Sequence, residues 1–293
     1  MQKVDVTMIT NEMIKKLRDK TGAGMMDCKR ALEAAGGDMD AAIEHLRKKG
    51  AAVAQKRADR AAKEGMIMTR VSPDGRRGVM VEVNCETDFV GRSEDFTAFC
   101  RTVAETIDAK RPATLDDLPA AATPSGKTVQ QLMDDLLAKV GEKVEVRRFL
   151  AYDTADGVVC SYTHLGSKIG VLVETGGDGD VASVTTPGRD VAMQIAAMNP
   201  MVITRDQVEK KVVDTEMDIY RTQAANEGKP AQIVDRIAQG RLEKFYQEVC
   251  LLEQTFIKDP GKTIKEYLQG ASKAGTTLAV KPFQRFHLGE EMQ

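Results

Sequence analysis

The five residues GVMVE at Gly78–Glu82 return as GVLVE at Gly170–Glu174, with one side chain altered. The same offset of 92 residues carries Gly65 onto Gly157, Phe99 onto Val191, Val103 onto Ile195 and Ala104 onto Ala196. Before each apolar run lies a turn. The first is SPDG (Ser72–Gly75), a strong turn signal, and the second falls around HLGSK (His164–Lys168). After each run comes a helical pattern, in the first copy with Phe96, Phe99, Cys100, Val103 and Ile107 at helical spacing. Each copy therefore reads as strand, hairpin turn, strand, loop, helix. Two sheets with a helix over each predict an α+β core of two similar subdomains with antiparallel sheets.

Working outward, residues 1–50 read as a three-helix bundle. Thr10 caps the first helix, whose face carries Met13, Ile14 and Leu17. Gly22 and Gly24 break the chain before a second helix with Met25, Met26, Cys28, Ala31, Leu32 and Ala35, ended by Gly36-Gly37. Asp38 caps a third, bearing Ile43 and Leu46. Residues 51–64 form a basic linker within a stretch holding cations at 47, 48, 49, 56, 57, 60 and 63. That stretch is either a solvated, partly helical tie or a nucleic-acid stripe, although no aromatic is interleaved for base stacking. Residues 65–150 make the first core subdomain, including a helix within 126–140 and a strand in EKVEVRRFL; residues 151–203 make the second. Residues 204–258 read as a protruding antiparallel helical hairpin. Thr204 and Gln207 form a capping box, with Val208, Val212 and Ile219 facing inward. Gly228 and Pro230 stop that helix, and a second carries Ile233, Ile237, Leu242, Phe245, Val249, Leu252 and Phe256 on one stripe. Residues 259–293 return to the second subdomain, with TTLAVKPFQRFHL as a further strand.

Composition excludes several classes. Basic and acidic residues balance at 42 against 44, which argues against a dedicated nucleic-acid binder. Five widely spaced cysteines contain no CxxC pair, so neither a zinc site nor a disulfide framework is indicated. No apolar run approaches the length of a membrane span, and MQKVDVTMITNEM has no signal-peptide core. The expected compartment is the cytoplasm.

The tools of catalysis are also missing. GKT occurs at 126–128 and 261–263, but the glycine a phosphate-binding loop needs upstream is replaced by Ala121 and Phe256. TGAGMMD lacks the third glycine of a dinucleotide fingerprint and any preceding strand. The histidines at 45, 164 and 287 match no metal spacing. Cys85 and Cys100 sit in apolar patterns that suit buried structural thiols. Asp88 with Glu86 would be an acid–base pair without other support. The expectation is a protein with no enzymatic activity, metal or cofactor.

What remains unexplained is a corner. The first apolar run ends in NCETDFVGR (Asn84–Arg92), just before a helix that begins near Ser93. Such corners usually hold Gly, Asn, Ser or Pro. Here an acid, an aromatic ring and a valine stand in a row. At the repeat offset, Thr87–Val90 faces Gly179–Ala182, a small and ordinary loop. Phe89 either folds back onto the core or projects as a contact, and pattern alone leaves both open.

LRDKTGAGMMDCKRAL (Leu17–Leu32) and VNCETDFVGR (Val83–Arg92) resemble, in order, the two signature motifs of bacterial translation elongation factor Ts, and the likeness covers nearly the whole chain. The resemblance implies a guanine nucleotide exchange factor acting on elongation factor Tu, in its GDP-bound and nucleotide-free states. It implies that the N-terminal bundle is of the ubiquitin-associated type and touches the G domain of Tu through Arg18, Met25 and Met26. Thr87, Asp88, Phe89 and Val90 match the loop that enters the G domain and displaces its magnesium ion. His164 matches a further contact position. Many members of that family continue past a motif like RFHLGE (Arg285–Glu290) with another helix, so that contact is expected to be missing here. The rival reading is a translation-associated RNA-binding protein that uses the basic linker; on the preferred reading no direct nucleic-acid contact is expected.

Overall fold

The computed structural model describes residues 9–57, 59–164, 166–176, 181–272 and 278–291. Three helices come first: α1 (Asn11–Thr21), α2 (Met25–Ala34) and α3 (Met39–Arg57). Both expected caps form, since Thr10 accepts from the Met13 N–H and Asp38 from the Ala41 N–H. Ile14, Leu17, Cys28, Ala31, Leu32 and Leu46 make a small core between the three helices. α3 does not stop near residue 50. It carries the first half of the basic stretch as helix, to Arg57; the side chain of Lys56 is outside what is described.

The first sheet is built from β1 (Glu64–Val71), β2 (Arg77–Cys85) and, after three helices, β3 (Val144–Asp153), all antiparallel with β2 central. β2 is buried along nearly its whole length, which is why its sequence is a continuous apolar run and not an alternating one. The intervening helices are α4 (Asp88–Gly91), α5 (Glu94–Lys110) and α6 (Val129–Val140). Phe96, Phe99 and Val103 of α5 close one face over Val79, Val81 and Val83. The second sheet repeats this plan with β4 (Gly157–Thr163), β5 (Ile169–Gly176) and α7 (Val181–Met198). The expected corner at Gly179 and Asp180, and Leu165 in the second turn, lie outside the described residues.

Two long helices follow, α8 (Lys210–Asn226) and α9 (Ala231–Val249), packed antiparallel as expected. Three details differ from the sequence reading. The Thr204–Gln207 capping box forms, but it closes a short 3-10 turn, and the helix begins only at Lys210. Ile219 and Ile233 are exposed instead of facing inward, because close packing in the hairpin rests on the small residues Ala224 and Ala238. Leu252 and Phe256 leave the stripe: α9 ends at Val249, and Phe256 belongs to a two-strand ribbon of β6 (Thr255–Phe256) and β7 (Asp259–Thr263). α10 (Ile264–Ala271) then leads to β8 (Ala279–His287), which returns to β5 and completes the order β4-β5-β8.

The sheets pack face to face through Ile67, Met80, Val159, Leu172 and Phe286. Here the repeat acquires a physical cause. A Cβ on Gly78 would lie 2.4 Å from Val159 Cγ1, and one on Gly170 would lie 2.4 Å from Ile67 Cγ2. These two contacts exchange under the 92-residue offset, so the paired glycines are where one sheet lies against the other. The edges are tied in the same reciprocal way. The Ile67 N–H donates to the Ser167 carbonyl and the Val159 N–H to the Gly75 carbonyl, each at 2.7 Å. Each hairpin turn thus covers the edge strand of the other sheet.

The repeated glutamates complete the symmetry. A β-bulge at Glu82 sets two consecutive residues of β3 against it, so that Arg147 (3.4 Å) and Arg148 (2.7 Å) both reach its carboxylate. The Gly289 N–H, just beyond β8, donates to the same carboxylate at 2.9 Å. At the equivalent bulge, Glu174 meets Lys281 at 3.1 Å and accepts from the Thr154 hydroxyl, just beyond β3, at 2.6 Å. Each subdomain is fastened by the segment that leaves the other.

Candidate functional site

The corner between β2 and α5 is a single helical turn. Thr87 caps it with extended backbone, and its Oγ1 accepts from the Val90 N–H at 3.4 Å. Ser93 closes it, its hydroxyl donating to the Val90 carbonyl at 2.8 Å while capping α5 through the Phe96 N–H. Gly91 is buried, and a Cβ there would lie 3.3 Å from the Gly65 backbone, so α4 rests directly on β1. On this frame the three unusual side chains divide. Val90 packs against the first core, Asp88 pairs with Arg92 at 3.0 Å, and Phe89 is 84% exposed. The ring does not fold back onto the core. Its exposure excludes the fold-back reading.

Two carboxylates brace the turn from outside. Glu142 accepts from the Thr87 N–H at 3.0 Å and from its hydroxyl at 2.8 Å. Glu86 accepts from the Lys143 N–H at 2.7 Å and is held by Arg57 at 2.7 Å and Arg60 at 3.1 Å. Burial alone would raise the Glu86 carboxyl; the Lys143 N–H and the two guanidinium groups more than offset that and hold it at about 2. Glu86 is therefore a structural anion and not half of an acid–base pair with Asp88. Burial, then the Glu142 carboxylate, push the Cys85 thiol up to about 12, away from the thiolate form a nucleophile needs. Burial also raises Cys100 well above the ordinary range.

The other expected contact residues are all on the surface. Arg18 is exposed on α1, and Met25 (56%) and Met26 (62%) both project from the first turn of α2. His164 is exposed in the turn between β4 and β5, its Nδ1 3.1 Å from the Tyr162 hydroxyl. That turn and the corner are brought together. A cleft of about 230 Å³ is lined by Asp88 and Arg92 on one side and by Ser167 and Lys168 on the other, with the Lys168–Glu64 ion pair (3.1 Å) beside it. Besides the Arg57–Glu86 pair, the bundle meets the core along α6, where a Cβ on Gly50 would lie 3.5 Å from that of Ala138.

Sequence reasoning missed Glu142, and it noted Arg57 and Glu82 without the ion pairs they make. One signal was available for the first: Glu86 stands just after one strand and Glu142 just before another, where a carboxylate can serve orphaned N–H groups. Among the described residues no group of three or more His, Cys, Asp or Glu side chains could hold a metal ion, and no helix is long and apolar enough to cross a membrane.

Comparison with known proteins is concordant. Residues 86–290 match the family model described as Elongation factor TS. The chain is 46% identical over 287 residues to elongation factor Ts of Chloroherpeton thalassium, covering 97% of this chain and 99% of that one. It is 43% identical to that of Clostridium botulinum (98% and 95%) and 44% identical to that of Clostridium perfringens (98% and 95%).

Proposed function

The chain belongs to the elongation factor Ts family, and from that membership we propose that it is a cytoplasmic guanine nucleotide exchange factor for elongation factor Tu, acting in translation elongation without catalysing a chemical reaction. It binds the GDP-bound factor, loosens GDP so that GTP can enter, and binds the nucleotide-free state most tightly. The Thr87–Val90 turn is the acting element. A GTPase holds its nucleotide partly through a magnesium ion that bridges phosphate oxygens to protein ligands. A ring pushed between the helices beside that site shifts the magnesium ligands and leaves phosphate charge uncompensated. By linkage, whatever weakens GDP binding must itself bind the GDP-free state more strongly by the same factor. Burial of the Phe89 ring contributes about 1.5–3 kcal/mol of that preference. Arg18, Met25 and Met26 on the bundle, and His164 beside the corner, supply further contact.

The observation that carries this reading is Phe89, 84% exposed on a turn whose backbone is fixed on both sides. An exposed ring on a rigid turn contributes little to folding and suits insertion into a partner. The RNA-binding alternative gains no support, because Arg57 and Arg60 at the end of the basic stretch are engaged by Glu86. The test is release of fluorescent GDP from purified elongation factor Tu. Catalytic amounts of this protein should speed it strongly; release unchanged at saturating protein would refute the assignment.

A further inference from the structure

We propose that Glu142 and Glu86 are positioning residues for nucleotide exchange: Glu142 aims the Phe89 turn, and Glu86 joins that turn to the N-terminal bundle. The proposal rests on the reading of Thr87–Val90 as the acting element.

The argument begins where the β2·β3 ladder ends. Its last pair is Cys85 with Val144. Beyond it β2 curls into α4, while the other chain comes from α6 through Gly141 at φ 70°. The next backbone donors on the two segments are the N–H groups of Thr87 and Lys143. Each meets a carboxylate of the other segment. Glu142 takes the Thr87 N–H, and Glu86 takes the Lys143 N–H. The crossed pair extends the ladder past the point where backbone pairing stops.

Glu142 reaches further than this. By accepting the Thr87 hydroxyl proton at 2.8 Å it fixes the rotor whose oxygen accepts from the Val90 N–H. The relay runs from Glu142 through Thr87 to the N-terminus of α4. Four residues cannot sustain a helix by propensity, since nucleation costs more than one turn returns. The aim of Phe89 is therefore set by what holds the turn. A preorganised contact loses less freedom on binding, and small misplacement of an acting group is costly in rate.

Glu86 faces the opposite way. Arg57, which donates to both of its oxygens (2.7 and 2.9 Å), is the last residue of α3. The bundle that carries Arg18, Met25 and Met26 is thus tied to the same brace that holds Phe89. Both contact surfaces approach the partner on one frame.

The experiment measures GDP release from elongation factor Tu against concentration of this protein, well below its melting temperature, for wild type, Phe89→Ala, Glu142→Ala, Glu142→Gln and Glu86→Gln. Glu142→Ala should lower the saturated rate about tenfold with the half-saturating concentration moved less than about twofold. Glu142→Gln, which keeps one acceptor oxygen, should fall between it and wild type. Glu86→Gln should mainly raise the half-saturating concentration. A slow Phe89→Ala beside a Glu142→Ala of wild-type rate would overturn the positioning role and leave the acting turn intact. A Phe89→Ala of wild-type rate would remove the reading beneath the proposal and the proposal with it. Circular dichroism on the same samples gives the folded fraction; a Glu142→Ala loss no larger than its unfolded fraction, or a Gln variant as slow as Ala, also overturns it.

Discussion

Phe89 and Val90 are neighbours with opposite duties, and single substitutions should separate them. The ring of Phe89 faces solvent, whereas Val90 packs against the first core. Phe89→Ala should leave stability within about 0.5 kcal/mol, the usual range for surface changes, and still slow GDP release strongly. Val90→Ala should cost roughly 1–2 kcal/mol, as expected for a small void at a core margin. Urea unfolding of both variants, run beside the exchange assay, checks the division; a Phe89→Ala protein destabilised by several kcal/mol would make the ring part of the core. Glu86 gives a second expectation, in pH. Its carboxyl lies at about 2 in the folded protein against an ordinary 4.5. A depressed folded value means that its contribution is fully present above about 4.5 and fades as pH falls toward 2. The stability advantage of wild type over Glu86→Gln should therefore shrink through that window. An advantage that stays constant down to the acid end would mean the ion pairs with Arg57 and Arg60 do not stabilise the fold.

At the scale of elements, the helical hairpin differs from everything else in the chain. α8 and α9 bury chiefly alanines against each other, and salt bridges such as Arg221–Asp235 (2.7 Å) and Arg241–Glu227 (2.8 Å) cross the reversal on the surface. Exposed pairs of this kind add little, because water and salt screen them. At the base, however, Arg205 pairs with Glu243 at 2.8 Å and with Glu253, and its guanidinium lies 4.5 Å from the Tyr246 ring centroid. The Val202 carbonyl accepts the Leu251 N–H beside it. Excision of residues 209–248 with a short linker removes Glu243 and Tyr246 but keeps the Arg205–Glu253 and Val202–Leu251 contacts, and should therefore leave a cooperatively folded core. Loss of cooperative thermal unfolding in that variant would show that the arm is needed for the core.

For the whole molecule the decisive feature is the reciprocal fastening of the two subdomains. Glu82 has 0% exposure, and its charge is met by Arg147, Arg148 and the Gly289 N–H. Breaking a buried, hydrogen-bonded ion cluster by removing one partner typically costs about 3–5 kcal/mol, and Arg147 and Arg148, which are part-exposed and also held by Glu290, place the loss toward the lower end. Glu82→Ala should lose an amount of that order. Glu174→Ala should lose less, since its side chain retains 16% exposure and its partner Lys281 reaches solvent. Denaturant unfolding of both reads the difference. A loss below about 1 kcal/mol for Glu82→Ala would mean the apolar sheet interface alone holds the subdomains together.

How much of this was legible without coordinates follows from how far apart the responsible residues lie. The SPDG turn, the caps at Thr10 and Asp38 and the helix beginning beside Ser93 are set by residues within a few positions of each other, and the repeat is legible as the same local pattern met again 92 residues later. Local backbone chemistry and side-chain periodicity determine them, so the sequence by itself determined two similar subdomains and an aromatic at the first corner. The exposure of Phe89 needed the tertiary structure, because it depends on where Gly91 meets Gly65 across β1. So did the brace, since Glu142 lies 55 residues from Thr87, and the fastening of Glu82 by Gly289, 207 residues away. Periodicity also placed Ile219 and Ile233 on an inward stripe, and only the packing of two helices on small alanines turned them outward. Contacts between distant segments are decided by which surfaces the whole chain brings together, and hydrophobic pattern records only that a face is buried, not what buries it.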